Sequence, residues 1–572
     1  MRILLVIIIL LSFIKLDAQE YTALSGATLI NPATNEIIPN SVILIKDDKI
    51  ISAGKEIKGK LPELTRVINC SGKYIIPGLI DGHIHFFQSG GLYTRPDAID
   101  LRHRVPYDLE QQNIQENIDD TFSRYLRCGV TTVVDVGGPM WNFDVRTKAR
   151  NSEKALNVFC SGPLIASYSP QELNTDDPAI IKVKSKQEAL SMVDMQVDAG
   201  ADLIKIWYIA DRQLGMSADD FYPIVEAVAK EAHRNNLKVF VHATELETAK
   251  KAIQAGCDVL VHNVSDRAVD DKFLQLAKDN DIIIIPTMWV FESYEAVFAK
   301  KLDLLTAEHT LGNPKVISTL TDMHELEYSE LGERQRRLLV ENKEVETDPI
   351  LLENLKKIND YGITIAMGTD AGNIGVLHGP SVYHEMLLMQ KAGMSKMQVL
   401  GSATFGGAKL IGKESDLGSI AKGMTADLVV LNSNPLDTLE NLADIFFVMK
   451  NGKEYYPDQL SVPTPVDIAQ LQLNAYNTRD IEAFLEAYAE DVEVYMHPDS
   501  LLYIGKEEMK KIYTEFFAKS PNLHCQLVSR IELNDKVIDR EIVTGVPGRP
   551  NIEAIAIYEI KDGLIKKIWF MK

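Results

Sequence analysis

The chain has 572 residues, 46% apolar and 25% charged, which is too long for one hydrophobic core and ordinary in composition for a soluble globular protein. Its 60 basic and 81 acidic residues leave a formal charge of -21, which argues against nucleic acid and anionic membrane surfaces as partners. The cysteines, Cys70, Cys128, Cys160, Cys257 and Cys525, are scattered and lack metal-type spacing, so no disulfide framework is expected.

Met1 and Arg2 precede an apolar run from Ile3 to Leu11 that continues through Ile14. The run is too short to span a bilayer comfortably. With Leu16-Asp17-Ala18 before Gln19, residues 1–18 read as a secretory signal peptide. A secreted or periplasmic protein is expected, with no membrane span in the mature chain. Short strands flanked by turn residues come next, at 41–46 and 49–53, and the pattern recurs at 418–431 and 445–453.

From residue 72 to 412, apolar strands alternate with helical patterns. Strands are predicted at 74–80, 131–136, 156–159, 203–207, 239–242, 259–262, 282–285 and 363–367, with helices such as 188–199 and 221–235 between them. Near-continuous apolar runs fit parallel strands covered on both faces. Eight of them alternating with helices predict a (β/α)8 barrel over 77–412. About seventy charged, mostly helical residues, 291–361, separate the seventh and eighth strands, and a connection that long is either a lid over the site or a surface insertion.

Pro457, Pro463 and Pro465 mark a linker, residues 458–465. Few contacts are expected across it, so the barrel should hold its site without the C-terminal segment. Beyond the linker, 469–488 reads as a helix broken at 477–480. Strands are then predicted at 492–496, 523–533, 537–546, 552–561 and 565–570.

The chemistry gathers at strand ends. The first strand closes in Asp81-Gly82-His83-Ile84-His85. Strand side chains alternate with period two, so His83 and His85 point the same way and can share one divalent cation. His242 and His262 close the fifth and sixth strands, and Asp370 closes the eighth. One such histidine is most often a hydrogen-bonded structural residue. Four of them with an aspartate, at the barrel end where active sites sit, point to metal. Lys205 lies within the fourth strand, and a lysine buried on both faces is costly unless its charge is paired or removed.

The string from Pro77 to His85 resembles the first metal-binding strand of the amidohydrolase superfamily. Gly368-Thr369-Asp370-Ala371-Gly372 resembles its last barrel strand, and the string from Gly423 to Leu431 its carboxy-terminal signature. The resemblance covers roughly 21–457. It implies that 19–76 and 413–457 meet in one small β-sandwich beside the barrel. It also implies two divalent ions, zinc first, with manganese, iron or cobalt suited to the same ligands. His83, His85 and Asp370 would hold one ion and His242 and His262 the other. Lys205, carboxylated by carbon dioxide as in prolidase-like members, would bridge them. A metal-bridged hydroxide would attack a carbonyl, with Asp370 passing the proton to the leaving amine. The implied reaction is cleavage of a C–N bond in a small molecule, a peptide or N-acyl amino acid. Two alternatives stay open: a one-metal cyclic-amide hydrolase or deaminase of imidazolonepropionase type, and a binding protein on a non-catalytic barrel.

Other candidates are Tyr208 as an oxyanion donor and His378, in the loop after the eighth strand, as a substrate contact. Arg102, His103 and Arg104 form either a carboxylate clamp or a solvated loop. His233 reads as structural, and His309 and His324 carry no motif. The phrase from Ala475 to Asp480, continued at Tyr488 to Val492, resembles the opening of SnoaL-like domains, which share the cone-shaped α+β fold of ketosteroid isomerase. That resemblance covers 466–572. Such domains include both enzymes and binding or dimerisation modules. An accessory module is expected, with a homo-oligomer as one outcome, and Asp491, Tyr495 and His497 are candidates to line a cone pocket.

Overall fold

The computed structural model describes residues 21–55, 60–210, 217–460 and 462–571. The predicted signal peptide lies outside the described residues. Among them, no helix is long and apolar enough to cross a membrane.

Strands from both ends of the barrel region join in one sheet. Tyr21–Asn31, Glu36–Lys46, Lys49–Gly54, Arg66–Asn69 and Tyr74–Pro77 are completed by Leu428–Leu431, Ile445–Lys450 and Lys453–Tyr455. The sheet carries its own core, including Leu24, Ile43, Ile75, Leu428 and Phe447. The strand predicted at 74–80 is two strands. Tyr74–Pro77 pairs antiparallel with Leu428–Leu431, and Leu79–Ile84 opens the barrel. Between them lies Gly78, where a Cβ would collide with Thr131, so the close crossing from sheet to barrel needs glycine.

The barrel strands are Leu79–Ile84, Val130–Asp135, Asn157–Cys160 with Leu164–Ala166, Leu203–Trp207, Lys238–His242, Val259–Val261, Ile283–Ile285 and Thr364–Ile365. Neighbouring strands run parallel. The third position is split, and the Asp202 amide donates to the Cys160 carbonyl at 3.0 Å to carry the ring on to the fourth. Regular pairing of the eighth strand stops at Ile365, sooner than predicted, because its continuation bends onto the first strand. There the Gly82 amide donates to Met367 O (2.9 Å), the Asp370 amide to His83 O (2.8 Å) and the His85 amide to Ala371 O (2.8 Å), closing the ring. Val134, Leu203, Phe240, Val261 and Ile285 fill the interior.

The long connection after the seventh strand is helical, with Met288–Phe298, Thr306–Leu311, Pro314–Thr321, Glu333–Glu341 and Pro349–Asp360. Asn313 and Asp348 cap two of these helices, each followed by a proline at the first helical position.

The C-terminal domain opens with helix Pro465–Thr478, capped by Thr464 and Asp467 in a reciprocal box. Its six-stranded sheet runs Ser500–Ile504, Tyr488–Met496, Leu564–Met571, Ile552–Lys561, Lys536–Thr544, His524–Leu533. Strand Ser500–Ile504 and helix Lys506–Lys519 are additions to the elements predicted from sequence. The helix is rich in Lys and Glu and buries only Met509 and Phe517 fully, so its apolar signal is weak. The expectation of few contacts beyond the linker is corrected. Helix Pro465–Thr478 packs on Pro314–Thr321 of the insertion. Asn474 Nδ2 donates to Pro314 O at 2.8 Å, Thr478 Oγ1 lies 3.1 Å from His309 Nε2, and Gln526 Nε2 donates to Glu325 at 2.9 Å. His524 stacks on His324 with ring centroids 4.9 Å apart. His309 and His324, which carry no motif, belong to this interface.

Candidate metal centre

The side chains at the strand ends converge. His83 Nε2 and His85 Nε2 lie 3.3 Å apart, and each is 3.3 Å from Asp370 Oδ1. These three buried residues form a group that could hold a metal ion. His262 Nδ1 is 3.9 Å from Asp370 Oδ2, and the His242 ring crosses that of His262 at a centroid distance of 4.4 Å. Lys205 lines the same cavity, which measures about 520 Å³.

The backbone is shaped to bring these groups together. A Cβ on Gly368 would sit 2.9 Å from both Cβ and N of His83, so the eighth strand reaches the first only as glycine. Asp370 (φ 63°), His262 (φ 73°) and Thr287 (φ 42°) all adopt left-handed backbone, which costs each about 1–3 kcal/mol and clusters at functional sites. Asp81 ties the two strands beneath the site, accepting from the Thr369 amide (3.0 Å) and hydroxyl (2.7 Å). Burial pushes its pKa up to about 7. Asp135, at the end of the second strand, accepts from the amides of Phe86 and Gly137 and is pushed up by burial to about 6.

The donor set suits a divalent cation. His85 Nδ1 donates to the Gly137 carbonyl at 2.7 Å, which leaves Nε2 with its lone pair facing the cavity. Burial holds His83 and His242 well below the ordinary histidine value and His262 at about 3, so these imidazoles are neutral, as ligation needs. Burial opposes ionisation of Asp370, yet the surrounding histidines keep its pKa well below the usual carboxylate range. Lys205 is only 1% exposed and its amine has no hydrogen-bond partner. Burial lowers its pKa to about 7, opposed by the charge of Asp370.

Two sequence candidates are placed elsewhere. Tyr208 is fully buried, packs against Phe221 and donates its hydroxyl to the Ala218 carbonyl, so it is corrected from oxyanion donor to packed aromatic. His378 accepts from Tyr125 OH (3.0 Å) through Nδ1 and donates to Gln88 O (2.8 Å) through Nε2. It lines a neighbouring cavity of about 350 Å³ rather than the one holding the metal cluster. Arg102 pairs with Asp100, and His103 and Arg104 share Glu330 of the insertion, so none forms a clamp in the cavity. His233 pairs with Asp258 at 2.9 Å.

Residues that the sequence did not single out complete the walls. Trp207, Arg95 and Asn373 line the cavity from the barrel, and Phe291, Tyr294, Glu295, Arg334 and Thr347 from the insertion. The insertion therefore walls the site. Asp81 and Asp135 are acids within apolar strands, the same signal that singled out Lys205. Arg95 and Asn373 sit in loops and carry no such signal.

A closed parallel barrel with neutral histidines and an ionised aspartate at its strand ends has the architecture of a metal-dependent hydrolase. The family model described as "Amidohydrolase family" matches residues 74–456, and the chain belongs to that family. A second model, the SnoaL-like domain, matches 469–568. Among curated proteins the chain is 24% identical to the guanine deaminase of Escherichia coli (strain K12) over 432 residues, 72% of this chain and 87% of that protein. It is 22% identical to the imidazolonepropionase of Alkaliphilus metalliredigens (strain QYMF) over 443 residues, 73% and 90%. A solved Xaa-Pro dipeptidase with bound methionine shares the fold, with TM-score 0.58 and 24% identity over 76% of this chain and all of that one.

Proposed function

We propose that the chain is an exported binuclear hydrolase that cleaves the C–N bond of a peptide or N-acyl amino acid. One observation carries the two-ion reading: Lys205 is buried among metal-type ligands with no partner for its amine. An amine with pKa about 7 is substantially neutral at physiological pH and can add to carbon dioxide. The N–C bond forms and one proton leaves the nitrogen of the neutral amine to solvent, so the amine becomes a carbamate anion; starting from the ammonium form, two protons leave. Two divalent ions, zinc foremost, held by His83, His85 and Asp370 and by His242 and His262 with carboxylated Lys205 between them, would supply a Lewis acid and a water of lowered pKa.

The protein's own groups do the rest. Asp370 Oδ2 takes a proton from the attacking water as the O–C bond forms. It returns that proton to the leaving nitrogen as the C–N bond breaks. Trp207 and the insertion's Phe291 line the cavity in which the substrate would sit. A hydrolysis screen of dipeptides and N-acyl amino acids on metal-loaded protein tests this reading. Free amino acid should appear, and its absence across the panel would overturn the substrate class.

The similarity to guanine deaminase and imidazolonepropionase favours a second reading, a one-metal deaminase or cyclic-amide hydrolase with Lys205 unmodified. Ammonia release from aminopurines, with one metal per chain, would select it. Export rests on the signal peptide read at 1–18, and amino-terminal sequencing of protein from the periplasm should begin near Gln19.

A further inference from the structure

We infer that Asn373 is a positioning residue that assigns different tasks to the two oxygens of Asp370. Asn373 is buried, three residues beyond Asp370, on the turn after the eighth strand. Its Nδ2 donates to Asp370 Oδ1 at 2.8 Å and to the Asp370 carbonyl at 3.1 Å. Its Oδ1 accepts from Arg95 Nη1 at 2.6 Å and from Tyr294 OH at 2.8 Å. A guanidinium is a donor only, so the atom facing Arg95 must be the amide oxygen, and the NH₂ is forced toward Asp370. Arg95 cannot swing away, because Asp97 holds it through two bonds of 2.7 and 2.6 Å.

The consequence falls on Asp370. Oδ1 is the oxygen 3.3 Å from both His83 Nε2 and His85 Nε2. With the Asn373 amide donating to it and the Nε2 atoms of both histidines beside it, Oδ1 is the oxygen committed to the ligand cluster. Oδ2 faces His262, receives no hydrogen bond from the described residues, and is the atom left for proton transfer. Asn373 therefore keeps Oδ1 turned toward the histidine pair and Oδ2 toward His262. Tyr294 lies on helix Met288–Phe298 of the insertion. The wall of the substrate cavity is thereby bonded to the group that sets the carboxylate's orientation.

This inference rests on the reading of Asp370 as proton carrier, so Asp370→Asn runs beside it. Asn373→Ala and Asn373→Asp are compared with wild type and with Tyr294→Phe. The aspartate variant keeps acceptors for Arg95 and Tyr294 but presents an oxygen to Asp370 Oδ1. Turnover of N-acetyl amino acids should fall about 100-fold in both Asn373 variants, with KM within about threefold, as expected for misplacement of a reacting group. Tyr294→Phe should lose about fivefold, since Arg95 still holds the amide. The second readout needs no turnover. With cobalt(II) as the only metal, the visible absorption bands should shift in both Asn373 variants while the thermal midpoint stays within a few degrees of wild type.

Full turnover with unchanged cobalt bands would overturn the inference. So would a loss of turnover that only tracks a fall in the thermal midpoint. Should the Asn373 variants fail to fold, wild-type turnover and cobalt bands in Tyr294→Phe would overturn it. If Asp370→Asn is fully active, the underlying reading of Asp370 has failed instead.

Discussion

The barrel mouth and the interior of the C-terminal cone both bury polar side chains, but only one of them satisfies those groups. In the barrel, the Lys205 amine is buried without a hydrogen-bond partner. In the cone, Gln472 Nε2 donates to Tyr558 OH (2.9 Å), Tyr558 OH to Glu541 (3.2 Å) and Tyr488 OH to Gln472 Oε1 (3.1 Å). Beside them Arg530 grips Asp539 through bonds of 2.7 and 2.6 Å. A buried polar group left unpaired costs about 1–3 kcal/mol, and structures keep such groups where a ligand is to supply the partner. The barrel mouth is therefore built to receive something, and the cone interior is built to hold itself together.

Substitution should affect the two regions in opposite ways. The largest effects are expected at the proposed metal ligands. His83→Ala or His85→Ala should lower turnover on the order of 10³-fold or more and reduce bound metal in elemental analysis. Lys205→Met should abolish turnover yet stabilise the metal-free protein by several kcal/mol in denaturant titration at pH 7, roughly the cost of a buried lysine whose pKa is lowered to about 7. Destabilisation by that variant would mean the amine has a partner after all.

Glu541 gives a pH signature. Burial raises its pKa to about 7, so the folded state holds the proton more tightly than the unfolded chain. Its contribution is full below the unfolded value near 4.5 and is lost as pH rises through about 7. Between pH 5 and 8 the wild type should lose up to about 3 kcal/mol relative to Glu541→Gln, read from unfolding curves across that range. Parallel curves for the two proteins would contradict the assignment. The smallest effect is Tyr558→Phe, which should cost about 1–2 kcal/mol of stability and leave turnover unchanged. A selective loss of turnover there would make the cone part of the chemistry.

The barrel and its ligand set were legible because strand periodicity is local. His83 and His85 are two apart and point together, as they do in the structure. The same parity shows why Tyr208 was misplaced: three residues from Lys205, it falls on the opposite face, and Trp207 is the neighbour that lines the cavity. In the C-terminal domain, Val492 and Val494 are buried, while Glu490 and Asp491 are exposed and Glu493 and Tyr495 are half-buried. Asp491 and Tyr495 therefore face outward, and His497 is exposed, so all three are corrected from the cone-pocket role. Asn373, Arg95 and Tyr294 meet only through tertiary folding of loops and insertion, and no periodicity announces them. The docking of Pro465–Thr478 on the insertion depends on contacts between residues 160 apart in sequence, Asn474 with Pro314, and a proline-rich stretch gave no sign of it.

The central claim is that Lys205 completes a two-ion centre at the barrel mouth. Elemental analysis of the full chain, loaded with divalent metal in the presence of bicarbonate and freed of excess, tests it most directly. Two metals per chain in the wild type and fewer in Lys205→Met are the predicted result. A stoichiometry of one, unchanged by bicarbonate and by Lys205→Met, would contradict it.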